Sequence, residues 1–115
     1  MLKANFITAQ EAAEKIQDGS TLCTIGMTLV SASESILKAI EKRFETVGHP
    51  ADITLVHSCG QSDRKDGIQH LAHEGLVKRI IGSHWGLQPR WMEMIANSQV
   101  EAYCLPQGQI AQLYR

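Results

Sequence analysis

Residues 21–56 read TLCTIGMTLVSASESILKAIEKRFETVGHPADITLV, two short β-rich segments on either side of one amphipathic segment. Thr21-Leu22-Cys23-Thr24-Ile25 is rich in β-branched and apolar residues, is too short for a helix, and is ended by Gly26. Ser33 with Glu34 opens a helix whose apolar residues Ile36, Leu37, Ile40, Phe44 and Val47 recur at helical spacing on one face, and Gly48-His49-Pro50 terminates it. Ile53-Thr54-Leu55-Val56 is the next strand. Strand, helix and strand in that order are the repeating unit of a parallel sheet with right-handed crossovers.

The flanks extend the same alternation. Upstream, Thr8-Ala9-Gln10-Glu11 spells a capping box for a short helix with Ala12, Ala13 and Ile16 on one side, and Asp18-Gly19 stops it. Downstream, the turn-rich stretch His57 to Gly67 reads as a loop, and a helical turn or two fits between Ile68 and Glu74. Gly75 and Gly82 bracket Leu76–Ile81, which favours a third strand. Pro89 suits the first turn of a helix carrying Trp91, Met92 and Ile95 inward and stopping at Asn97. Val100–Leu105 is the fourth strand, and Ile110, Leu113 and Tyr114 begin another helical pattern. The fold class is α/β: an open, mainly parallel sheet with flanking helices.

Parallel strands all leave the sheet at one edge, and the residues just beyond them are where ligands bind in such folds. Those residues are Gly26-Met27-Thr28, His57-Ser58-Cys59-Gly60, Ser83-His84-Trp85-Gly86 and Pro106-Gln107-Gly108. Glycine in each loop lets backbone approach a ligand closely.

Composition narrows the function classes. The 115 residues form one domain at most, and a hydrophobic fraction of 43% is that of a folding chain. Eleven basic against twelve acidic residues, with no basic run, argue against nucleic acid as a partner. No apolar stretch approaches the roughly 20 residues of a membrane span, and Lys3, Asn5, Thr8 and Gln10 interrupt what a signal peptide would keep apolar, so a cytoplasmic protein is expected. Cys23, Cys59 and Cys104 are odd in number and lack a Cys-x-x-Cys pair, so reduced thiols are expected.

Gly26 begins neither phosphate-loop spelling. Ser58 and Cys59 lack the Gly-x-Ser-x-Gly elbow and a placeable base. His70 and His73, three apart beside Glu74, lack the His-Glu-x-x-His spacing of a zinc site and read as a solvated helix face; no metal is expected. Trp85 and Trp91 read as core.

Three stretches together resemble a known family: Leu71-Ala72-His73-Glu74-Gly75-Leu76-Val77-Lys78; Gly82-Ser83-His84-Trp85-Gly86 with Pro89-Arg90; and Ala102-Tyr103-Cys104-Leu105-Pro106-Gln107-Gly108. They look like the N-terminal part of family I coenzyme A transferases, in the acetate/propionate branch, and Thr8-Ala9-Gln10-Glu11-Ala12 and Thr21-Leu22-Cys23 fit the same branch. The resemblance implies that residues 1–115 are the opening part of a longer two-halved α/β enzyme. That enzyme would move coenzyme A from an acyl-CoA to a short carboxylate through a glutamyl-CoA thioester. The nucleophilic glutamate would lie outside this chain, because its eight glutamates carry no Glu-Asn-Gly-type motif.

By the same resemblance the chain supplies one wall of the cleft. Gly26, Met27, Thr28 and Ser58 would face the substrate and its oxyanion, and Gln107 and Gly108 would lie near the catalytic glutamate. Gly26 is kept, while Met27-Thr28-Leu29-Val30-Ser31 replaces most of the glycines of the family's loop. Coenzyme A enters as a thioester substrate and no permanently bound cofactor is implied. Expected partners are the remaining half of the enzyme or a partner subunit, within a homo-oligomer. The alternative is a non-catalytic module of the same broad fold that binds a sugar-phosphate-like molecule.

Overall fold

The computed structural model describes residues 3–115. Its elements are α1 (Ala9–Glu14), β1 (Thr21–Thr24), α2 (Glu34–Val47), β2 (Ile53–His57), a 3-10 turn (Gly67–Leu71), β3 (Val77–Gly82), α3 (Pro89–Ala96), β4 (Glu101–Cys104) and α4 (Gln107–Leu113). The four strands form one wholly parallel sheet in the order β1-β2-β3-β4. The expected α/β architecture is thus present in its simplest winding.

Sequential strand order with crossovers of one hand sends every connection over the same face. Accordingly α2 packs on α1 and on the 3-10 turn, which also touches α3. The core lies between that layer and the sheet: Leu37 and Ile40 from α2, Ile68 and Leu71 from the 3-10 turn and Trp91 from α3 meet Leu55 and Ile80. The Trp91 indole N–H, which burial would otherwise orphan, donates to the Ile68 carbonyl at 3.0 Å.

Residues in register across a parallel sheet point to the same side. The opposite face therefore carries the row Cys23, Val56, Ile81 and Tyr103, with Thr21, Thr54, Arg79 and Glu101 beside it. Cys23 and Tyr103 are exposed, and Arg79 pairs with Glu101 at 2.9 Å across the surface. Val56 is nevertheless buried. Helix α4 has a fully buried Ile110, and its end is tied to β1 by the Tyr114 hydroxyl donating to the Thr24 carbonyl at 3.0 Å.

Several local expectations need correction. Met92 is 52% exposed and Met94 takes its place inward, because Met94 and Ile95 lie three and four residues after Trp91 and so share its face. Val47 and Leu113, at the ends of their helices, also face outward. Ser33 occupies the N-cap of α2 but makes no side-chain cap, its carbonyl accepting from Ile36 and Leu37 instead. His70 and His73 do not form a solvated face: the His70 side chain is only 12% exposed and is packed against acids of α2. Among the described residues no helix is long and apolar enough to cross a membrane.

Candidate functional site

The loops beyond β1, β2 and β3 are bonded to one another. After β1, Gly26 has φ +152°, and a Cβ there would stand 2.9 Å from the Val30 carbonyl oxygen, so only glycine lets the chain double back. The return is a tight turn in which the Met27 N–H donates to the Val30 carbonyl at 3.1 Å and the Val30 N–H to the Met27 carbonyl at 2.9 Å. Thr28, at φ +52°, donates its N–H to the Gly60 carbonyl at 2.8 Å, joining this loop to the one after β2. The turn leaves Ile25, Met27 and Val30 exposed at the sheet edge.

Ser58 and Gln61 complete that junction. The Ser58 hydroxyl donates to the Gly26 carbonyl at 3.0 Å, and the buried Gln61 amide donates to the Thr24 carbonyl at 2.9 Å and to the Ser58 Oγ at 3.1 Å. Thr24 Oγ1, Gln61 Oε1 and Ser83 Oγ are buried without a hydrogen-bond partner, and all three belong to strand ends or loops of this edge.

Two histidines tie the second loop to the third. His57 is fully buried, its Nδ1–H donates to the Ser58 carbonyl at 2.6 Å and its Nε2 accepts the Trp85 indole N–H at 3.0 Å, which fixes the neutral tautomer. Burial pushes its pKa down to about 4, against a smaller opposing effect of the Ser58 carbonyl. Its ring lies on Gly82, where a Cβ would come within 2.2 Å of Nε2. His84 Nε2 accepts the Gly60 N–H at 3.1 Å.

The structure thus brings Gly26, Met27, Thr28 and Ser58 together. Gln107 and Gly108 begin α4 after β4, and β4 and β1 are the outer strands, roughly 14 Å apart across three strand spacings. Gly108 has no atom within 4 Å of where a Cβ would stand, so nothing within this chain requires glycine there. None of the eight glutamates lies on the four edge loops. His57, His84 and Trp85 lie on edge loops that the sequence singles out, without a role given to them there, whereas Gln61 and Tyr114 lie outside those quoted residues. A histidine flanked by apolar strand residues at Val56 was the available signal for His57; nothing local marked Gln61 or Tyr114.

Two surface depressions lie away from this edge. One, of about 520 Å³, is lined by Asp52, Val77, Ile95 and Glu101 at the opposite end of the sheet, and the other, of about 280 Å³, lies between α1 and α2.

Comparison with known proteins gives this edge its context. A family model described as coenzyme A transferase matches residues 6–115. A caffeate CoA-transferase of Acetobacterium woodii is 36% identical over 113 residues, covering 97% of this chain and 22% of the relative. The acetate CoA-transferase YdiF of Escherichia coli K12 is 34% identical over 111 residues, covering 95% and 21% respectively. The crystal structure of the acyl-CoA transferase YdiF from E. coli O157:H7, a thioester complex with CoA, superposes with a TM-score of 0.83 at 33% identity, over 89% of this chain and 21% of that one. The chain therefore spans about a fifth of the length of the relatives it matches. On the match over nearly its whole length, this chain belongs to the coenzyme A transferase family.

Proposed function

We propose that residues 1–115 are the N-terminal part of a CoA-transferase domain and form one wall of its acyl-CoA site. The observation that carries this reading is the likeness of the chain, at a TM-score of 0.83, to an acyl-CoA transferase crystallised as a thioester with CoA. In the proposed cycle a glutamate carboxylate from outside this chain attacks the donor thioester carbonyl and expels the CoA thiolate, leaving a mixed anhydride. The thiolate then attacks the glutamyl carbonyl, releasing the donor's carboxylate and leaving glutamyl-CoA. The acceptor acid reverses both steps and departs as its CoA thioester.

In this scheme Gly26, Met27, Thr28 and Ser58 shape the wall beside the thioester. The N–H groups of Met27 and Thr28 are already engaged by Val30 and Gly60, so these two residues act by holding the loop's shape. Gln107 and Gly108 stand closest to the incoming glutamate, and the open space at Gly108 is where a group from the rest of the enzyme approaches. The substrates are an acyl-CoA and a short-chain carboxylate, used in cytoplasmic short-chain fatty acid metabolism by a homo-oligomer, with no permanently bound cofactor. The test is a CoA-exchange assay on the complete enzyme carrying Gly108→Val. A fall in turnover with unchanged folding supports the reading; unchanged turnover removes this turn from the site, and binding of a phosphosugar without exchange would favour a binding module instead.

A further inference from the structure

Beside the edge loops, α2, the 3-10 turn and α3 bring ionisable side chains together around His70. Its Nδ1 lies 2.5 Å from Glu41 Oε2, and its Nε2 lies 2.6 Å from Glu34 Oε1 and 3.4 Å from Asp66 Oδ1. From α2, Lys38 faces Glu34 at 3.5 Å; from α3, Arg90 faces Glu41 at 3.5 Å. His73 Nε2 lies 2.7 Å from Glu41 and 3.1 Å from Arg90, and Glu45 is the remaining acid on that side of α2. A neutral imidazole has one donor and one acceptor, so it would turn a lone pair toward one of these carboxylates. Only the imidazolium donates from both nitrogens. With His70 cationic, the four acids Glu34, Glu41, Glu45 and Asp66 face three cations, His70, Lys38 and Arg90.

The cluster reaches the edge loops through Glu34. Its second oxygen accepts the Gly67 N–H at 3.0 Å, and Gly67, at φ +81°, crosses so close to Gln61 that a Cβ would stand 1.9 Å from the Gln61 carbonyl oxygen. The Ile68 N–H donates to that same oxygen at 2.9 Å, and the Gln61 side chain holds Thr24 and Ser58. We infer that His70 is a positioning residue acting as an imidazolium clasp, whose proton holds Glu34 against Gly67 and thereby seats Gln61 beneath the edge loops. Burial alone would lower the pKa of His70, but the hydrogen bonds and charges of Glu41 and Glu34 together outweigh it and raise it above 6.5. The clasp is therefore fully present below 6.5 and is lost as pH rises through the raised value.

The inference concerns this chain alone, so its test does not depend on the transferase reading. Nitrogen NMR of the 115-residue protein should find both His70 ring nitrogens protonated at pH 6 and below, with a titration midpoint above 6.5 that Glu41→Gln moves down. Exchange of the Gly67 amide, corrected for its intrinsic pH dependence, should accelerate along the same titration. His70→Gln should speed it roughly tenfold or more below the midpoint, as expected for loss of a charge-assisted contact, and abolish the pH dependence. A midpoint at or below 6.5 in the unmodified protein overturns the inference, whether or not the variants fold. So does Gly67 exchange that ignores the titration. Zinc provides a further check, since the ligand atoms of Glu34, Asp66 and His70 lie within 4.8 Å of one another. Displacement of the Nε2 proton by stoichiometric Zn²⁺ with Gly67 more protected would make this a metal site and overturn the clasp.

Discussion

Gly82 and Gly108 both lie near strand ends, yet they are glycine for opposite reasons. At Gly82 a methyl group would overlap the buried His57 ring, so Gly82→Ala should destabilise the fold by about 1–3 kcal/mol in chemical denaturation. At Gly108 a methyl group meets nothing, and glycine inside a helix costs roughly 0.5–1 kcal/mol relative to alanine, so Gly108→Ala should stabilise the isolated chain by about that amount. His57 adds a pH dependence of its own. Its folded pKa, about 4, lies below the 6.5 of an unperturbed histidine, so its contribution is present above 6.5 and is lost as pH falls toward 4. The two histidines thus act in opposite senses: unfolding midpoints measured against pH should carry a His57 contribution that falls off between 6.5 and about 4 and a His70 contribution that falls off on the alkaline side.

Helix α1 is short enough that its ends decide its stability. Thr8 and Glu11 form the reciprocal capping box that the sequence spells, at 3.1 and 2.7 Å. The other end is held from α2, where the Arg43 guanidinium donates to the Ala13 and Ile16 carbonyls at 2.8 and 2.9 Å. Arg43→Met should cost about 1.5–3 kcal/mol, and amide exchange should show α1 released first. The contrast between these ends explains what sequence could and could not reveal. Elements whose signal is local, such as the capping box, the helix stop at Gly48 and Pro89 at the start of α3, were readable along with the parallel α/β class. Contacts made across dozens of residues were not: nothing near Arg43 names Ala13, and nothing near His70 names Glu34 and Glu41. That these loops share one edge was readable because parallel strands must leave together. Their mutual bonding through Gln61, His57 and Trp85 depends on distances that spacing does not encode.

Among the described residues, helices α1 to α3 and the 3-10 turn pack together over one face of the sheet, and α4 is tied to β1 through Tyr114. Wholly parallel sheets are normally buried on both faces, and here Tyr103 and Cys23 remain exposed in the same row as Ile81. The 115-residue chain alone should therefore self-associate in sedimentation experiments, and Tyr103→Lys should shift it toward monomer with little change in unfolding midpoint. On the proposed cycle it should also fail to exchange CoA between acetate and an acyl-CoA, since that cycle places the nucleophile outside residues 1–115. The placement of that nucleophile can be read directly by incubating the complete enzyme with an acyl-CoA and mapping the covalent CoA adduct by peptide mass spectrometry. The adduct should fall on a glutamate outside residues 1–115; an adduct on Cys59, or on any glutamate within these residues, would contradict the assignment of this chain to the non-nucleophilic wall.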